Sequence, residues 1–102
     1  MNKTAQWLGY EFEVHNPNVT WSDVGGIYIF CGVTPQNTWV PIYIGQAVSL
    51  KDRLGNHDRW DEAEALGAIC VHAMVVATQA QRDSIEERLI RSYRPHLNTQ
   101  LK

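Results

Sequence analysis

Two tyrosines stand at the ends of one short apolar stretch, in Gly26-Ile27-Tyr28 and Tyr43-Ile44-Gly45, with residues 29–42 between the tripeptides. If that stretch folds back as an antiparallel hairpin, both phenol hydroxyls reach one face, where they can orient a water or exchange a proton. Arg53 and His57 follow, four residues apart. On a helix they share one shoulder beside the stripe of Leu50 and Leu54, a placement suited to phosphate oxygens and equally to an ordinary helix flank. Glu86 is the third unusual group. On the helix whose apolar stripe is Ile85, Leu89, Ile90 and Tyr93, it lies about 100° from Ile85, inside the arc that faces the core, while Glu87 lies at about 200°, outside it. A carboxylate on an inward arc costs several kcal/mol unless a cation or hydrogen bonds meet it. An ion pair with Arg82, which shares the arc, and a bound metal both satisfy that requirement.

The elements that must position these groups can be read from periodicity. Leu8, Tyr10, Phe12 and Val14 alternate with polar residues or glycine, the period of a half-buried strand, which Asn16-Pro17-Asn18 ends. Residues 20–23 read as loop or a single helical turn. Residues 26–33 are apolar on both faces, as in a central strand. Turn chemistry at Thr34-Pro35-Gln36-Asn37-Thr38 leads to a second strand over residues 39–44, where Pro41 implies an edge position or a bulge. Ser49-Leu50-Lys51-Asp52 has the form of a capping box opening a helix to about residue 59, weakened by Gly55. A short helix over residues 61–66 stops at Gly67, and residues 68–77 form a third strand of the hairpin's sheet. Thr78 with Gln81 opens the last helix, which must end before Pro95.

Composition narrows the classes. The 102 residues suit one domain with a modest core; a hydrophobic share of 44% and a charged share of 20% argue against disorder. No apolar run is long enough for a membrane span, and Met1-Asn2-Lys3-Thr4 lacks a signal peptide's apolar run. Cys31 and Cys70 lie in apolar strands and read as reduced core thiols, so the expected location is the cytoplasm. The net charge of −2 counts against a strong general attraction to nucleic acid. Charge is uneven, however. Lys51, Arg53 and Arg59, with His57 among them, form a candidate substrate-binding stretch opposed by Asp52 and Asp58, although mixed-sign solvated helix faces give the same pattern.

Taken together, Gly26-Ile27-Tyr28, Tyr43-Ile44-Gly45, Arg53 ten residues after Tyr43, Glu86, and Pro95-His96-Leu97-Asn98 resemble the GIY-YIG nuclease domain in every element and in order. The resemblance spans about residues 25–98. It implies an α+β fold, a small three-stranded antiparallel sheet flanked by helices. Here that fold would carry an extra N-terminal strand and loop in residues 1–24, with residues 25–102 as the catalytic part of one globular domain. It implies a DNA endonuclease that uses one divalent cation, Mg²⁺ or Mn²⁺, per site and leaves 5′-phosphate and 3′-hydroxyl ends. Glu86 would hold the metal, Tyr28, Tyr43 and Arg53 would line the site, Asn98 would support it, and His57 matches a histidine that many members place one turn after the arginine. Tyr28 is the first choice of general base and His57 the alternative, its titration range being better placed. The expected partner is DNA, with a homodimer or partner protein supplying target recognition and no membrane. The alternative is a degenerate domain that binds nucleic acid or protein without cutting.

Overall fold

A computed structural model describes residues 3–100, with side chains to residue 98. Five strands and four helices follow one another in these residues. They are β1 (Thr4–Trp7), β2 (Tyr10–His15), β3 (Gly26–Val33), β4 (Trp39–Ala47), α1 (Leu50–Leu54), α2 (Trp60–Ala65), β5 (Cys70–Val75), α3 (Gln79–Tyr93) and α4 (His96–Gln100). The strands form one antiparallel sheet in the order β1-β2-β5-β3-β4. The fold is α+β, as expected, but the sheet has five strands rather than three with one addition.

The extra strand comes from a turn at Leu8 and Gly9, both in left-handed conformation at φ 52° and 83°. Ala5 faces Phe12 and Trp7 faces Tyr10 across the hairpin this turn creates. The alternation that placed Leu8 in a strand with Tyr10 and Phe12 runs on through a turn residue, and Leu8 is exposed. β2 then pairs with β5 through Glu13 opposite Ala73 and His15 opposite Val71, so the N-terminal hairpin extends the sheet.

β3 is paired on both sides and buried from Gly26 to Gly32, the central strand its composition predicted. β4 is the sheet's edge, and its register slips between Phe30 and Cys31, which face Tyr43 and Pro41, leaving Ile42 without a partner. Pro41 thus sits at both an edge and a bulge, where its missing N–H costs nothing.

Each face of the sheet carries its own core. On one, Tyr28, Phe30, Val71 and Ala73 pack with Trp21, Leu50, Ala63 and Leu97. On the other, Phe12, Ile27, Ile29 and Ile44 pack with Trp7 and Leu89. Burying each such side chain is worth about 1.5–3 kcal/mol. Cys31 and Cys70 are buried, unbridged, and opposite one another on β3 and β5. No helix among the described residues is long and apolar enough to cross a membrane.

Caps set the helix bounds. Ser49 Oγ accepts from the Asp52 N–H at 3.2 Å, and Thr78 Oγ1 accepts from the Gln81 N–H at 3.2 Å. α3 closes on Arg94 at φ 44°, directly before Pro95, and α2 is followed by Gly67 at φ 106°. α1 ends at Leu54 instead of running to residue 59. Gly55 closes the last turn, its N–H bonded to the Lys51 carbonyl at 3.1 Å, and a glycine there, about 1 kcal/mol poorer than alanine in a helix, weakens any continuation. His57 therefore lies in the turn between α1 and α2, off the helix shoulder.

Candidate active site

β3 delivers Tyr28 to the site, and the glycine opposite it on β4 explains how. Tyr28 pairs with Gly45 across the ladder, and a methyl group at Gly45 would overlap the ring and hydroxyl of Tyr28. The Tyr28 ring can therefore lie flat over β4 only because that position lacks a side chain. Tyr43, opposite Phe30, projects from the same face, with its ring centroid 6.3 Å from that of Tyr28. The two tyrosines do converge on one face.

The turn after α1 adds His57, whose Nε2 lies 2.7 Å from Tyr28 Oη. Its tautomer follows from the other nitrogen. Nδ1 receives the main-chain N–H of Arg59 at 2.9 Å, and a main-chain N–H can only donate. Neutral His57 therefore carries its proton on Nε2 and donates it to Tyr28 Oη. Burial, followed by the charge of Arg53, holds the imidazole pKa down to about 4, so neutral is its state at physiological pH.

Arg53 reaches the site from α1. Its Nη2 donates to Asp58 Oδ1 at 3.0 Å, and its charge favours the ionised form of both tyrosines. Burial dominates nonetheless. It raises the Tyr28 hydroxyl well above the ordinary phenol range, with the neighbouring Tyr43 adding to the effect, and it raises Tyr43 as well. A phenol so placed ionises only when more positive charge arrives.

Glu86 comes from the other layer, on α3. It is half-buried and Glu87 is exposed, the phase the helical wheel predicted. Burial raises the Glu86 carboxyl above its usual range, against the opposing effect of a hydrogen bond from Gln46, and its charge is felt at both tyrosines. Arg82 does not pair with it. That guanidinium is buried and donates to the carbonyls of Val76 and Ala77 and to Gln79. What meets Glu86 is the Gln46 amide, whose Nε2 lies 2.9 Å from Glu86 Oε1 and 2.9 Å from Asp83 Oδ1. A half-buried carboxylate whose charge reaches both tyrosines, with a neutral amide and, among the described residues, no cation as its partner, suits a hard divalent ion. No group of three or more His, Cys, Asp or Glu side chains gathers anywhere among the described residues, so Glu86 would hold such an ion as a lone protein carboxylate, with water and substrate oxygens completing its shell.

Asn98 and the outer cations stand further back. Asn98 donates Nδ2–H to the Ile44 carbonyl and accepts the Ile44 N–H, both at 2.8 Å, fastening the free edge of β4 beside Tyr43. Arg59 is bound to Glu62 at 2.6 Å, and Lys51 is exposed at the start of α1.

Comparison with solved structures finds the same fold elsewhere. The GIY-YIG N-terminal endonuclease domain of UvrC from Thermotoga maritima, bound to its catalytic divalent cation magnesium, is 29% identical, with a TM-score of 0.59 over 74% of this chain and 84% of that one. The same domain as an asparagine-to-alanine variant bound to its catalytic divalent cation is 28% identical, with a TM-score of 0.60 over 74% and 83%. The chain has the GIY-YIG nuclease fold. No family model and no curated protein sequence matches it.

Within the GIY-YIG fold two contributors had no signal in the sequence pattern. Asp58, which holds Arg53, lies in the irregular turn that Gly55 creates. Because β4 runs on to Ala47, Gln46, which holds Glu86, lies beyond the strand read over residues 39–44. Its carbonyl accepts from Gln79 Nε2 at 2.7 Å, and this fixes which end of the amide faces the carboxylates.

Proposed function

We propose that this chain is a divalent-metal-dependent DNA endonuclease that hydrolyses phosphodiester bonds to 5′-phosphate and 3′-hydroxyl ends. The observation that carries the reading is the Tyr28 hydroxyl, held by the His57 Nε2–H at 2.7 Å on the face it shares with Tyr43 and within electrostatic reach of Arg53 and Glu86.

Each residue takes the role that the resemblance implies, and the geometry is compatible with it. Glu86 would hold one Mg²⁺ or Mn²⁺, which would supply positive charge to the reacting phosphodiester. Arg53 neutralises a non-bridging oxygen as charge grows on it in the transition state. Tyr28 is the general base. Because His57 Nε2 already carries a proton, His57 cannot take one from Tyr28, and its donation steadies the phenolate instead. Tyr28 first releases its proton to solvent; water, oriented by Tyr43, then attacks phosphorus and gives its proton to the Tyr28 phenolate, the bond from phosphorus to the 3′-oxygen breaks, and that oxygen takes a proton from solvent. Asn98 keeps β4 in register, and Lys51 and Arg59 guide the DNA backbone. With Arg53 and Arg59 both engaged by carboxylates, target recognition falls to a second copy or a partner protein.

A non-cutting binding module is the second reading, favoured by the net charge of −2 and those same engaged arginines. Incubation with supercoiled, linear, branched and single-stranded DNA, in Mg²⁺, Mn²⁺ or EDTA, separates the two. Cutting in either metal and none in EDTA, with ends that a ligase reseals, is the expected result. Intact DNA that nonetheless shifts on a gel establishes the second reading.

A further inference from the structure

Beside the site, between the loop after β2 and the turn joining α1 to α2, lies a cleft of about 250 Å³. Its floor is Phe30 and Val71, paired across β3 and β5, and Trp21 and Trp60 form aromatic walls. Both indoles are braced: Trp21 meets His15 at 5.0 Å between centroids, and Trp60 meets Phe30 edge-on at 5.0 Å. The loop itself is tied to α1, since Leu50 N–H donates to the Val24 carbonyl at 2.8 Å and Lys51 N–H to the Ser22 carbonyl at 3.1 Å. The cleft is therefore built before any ligand arrives.

Its rim carries the side chains of Asn18, Asn56 and Asp61, which make no hydrogen bond or ion pair among the described residues. No lysine or arginine lines it. An aromatic, cation-free cleft with a carboxylate at its mouth repels a phosphate. It suits a flat neutral ring with polar edges, stacked on indole, while Asp61 accepts from an exocyclic amine and either asparagine offers both donor and acceptor. The volume suits one such ring system. Position supplies the rest: His57 lines this cleft and also bonds Tyr28 Oη, so an occupant sits one side chain away from the proposed base.

We propose that this cleft receives one unpaired nucleobase of the substrate, within a nucleotide or two of the scissile phosphate. The proposal rests on the nuclease reading above and deepens it: the preferred substrate carries an unstacked base, as in a loop, flap or single strand, because a paired base cannot enter.

The test uses the full chain and an oligonucleotide that it cuts, rebuilt with an abasic site at each position near the cut in turn. Binding is measured in EDTA and turnover in Mg²⁺. One position within two nucleotides of the cut should lose about tenfold or more in binding when its base is absent, the range of a lost base–aromatic stack. 2-Aminopurine at that position should change its fluorescence on binding. Asn56→Ala and Asp61→Ala, both exposed and outside the core, should weaken the intact oligonucleotide and shrink its advantage over the abasic one. A flat scan with normal cutting overturns the cleft proposal and leaves the nuclease reading standing. Failure to cut any nucleic acid overturns both.

Discussion

The protein buries two histidines, and they are wired alike. In each, Nδ1 accepts from a nitrogen that can only donate: the main-chain N–H of Arg59 for His57, and the indole N–H of Trp7, at 2.9 Å, for His72. In each, burial is the leading cause holding the pKa down to about 4. Each is therefore neutral with its proton on Nε2. The difference is what that proton meets. His57 gives it to Tyr28 Oη, whereas His72 Nε2 has no hydrogen-bond partner among the described residues, the His72 ring lying 4.6 Å between centroids from that of Trp39 and nearly perpendicular to it. A perturbed histidine is thus no sign of a site in itself; the sign here is a phenol waiting on the other nitrogen.

That contrast breaks most sharply at Tyr28. Tyr28→Phe keeps the ring that fills the space over Gly45 and removes the oxygen, so turnover should fall about 10²–10⁴-fold while the melting temperature barely moves. Single-turnover cleavage beside thermal melts measures both. In the parent, turnover should climb with pH from neutrality into the alkaline range, because the base must lose a proton that burial retains. If Tyr28→Phe cuts normally, the Tyr28–His57 pair is as structural as Trp7–His72.

Glu86→Gln should come next. It keeps the shape and removes the charge a cation requires, so Mg²⁺-dependent turnover should collapse and excess Mg²⁺ should restore little. Glu87→Gln should leave turnover nearly unchanged, since Glu87 is exposed and bound to Arg91. Calorimetric titration with Mg²⁺ adds a reading independent of cutting. Loss of activity in Glu87→Gln and not in Glu86→Gln would place the ion on the wrong side of the helix.

Much of this arrangement was legible because local chemistry fixed it. Caps at Ser49 and Thr78, the stop at Pro95 and the inward phase of Glu86 depend on neighbours a few residues away, and each is found where the pattern put it. The misreadings share another cause. Leu8 at φ 52° is a poor left-handed residue that the hairpin imposes, and the alternation concealed it. Extending α1 to residue 59 ignored how little one glycine needs to do in a short helix. His57 was singled out for its spacing from Arg53 on a helix that does not reach it; its bond to Tyr28 is a tertiary contact between residues 29 apart. Gln46 and Asp58 were invisible for the same reason.

Acid should reveal what the two histidines share. Their folded pKa values of about 4 lie below the ordinary 6.5, so between those values the unfolded chain binds more protons than the folded one. Stability is fully present above about pH 6.5 and is lost as pH falls towards 4, by at most about 3 kcal/mol for each histidine. Urea melts from pH 7.5 to 4 check the slope. His57→Gln and His72→Gln should each remove about half of it. If either variant alone flattens the curve, the other imidazole is not the neutral buried group its surroundings require.

The smallest expected effect is on catalysis, from His72. Replacing it with leucine fills a similar volume and removes the Nε2–H that has no hydrogen-bond partner, which favours the variant. The same change strips the Trp7 indole N–H of its acceptor in a core where Trp7 is 5% exposed, which costs about 1–3 kcal/mol. The orphaned indole should outweigh the relieved imidazole, since the His72 ring already packs edge-to-face with Trp39 and the indole N–H would be left with no acceptor at all. The net expectation is a loss of about 1 kcal/mol at pH 7.5 that vanishes at about pH 6 and reverses below it, because by pH 4 the parent has lost up to about 3 kcal/mol to protonation of His72 and the variant has not. Turnover at 25 °C should match the parent throughout, because His72 lies in the core on the opposite face of the sheet from Tyr28. His57→Leu, made alongside, removes the same kind of imidazole from the other face and should lose turnover tenfold or more through the missing donor to Tyr28. Equal turnover losses in the two leucine variants would mean that Tyr28 feels general loosening of the sheet, and the specific role of the His57 proton would fall.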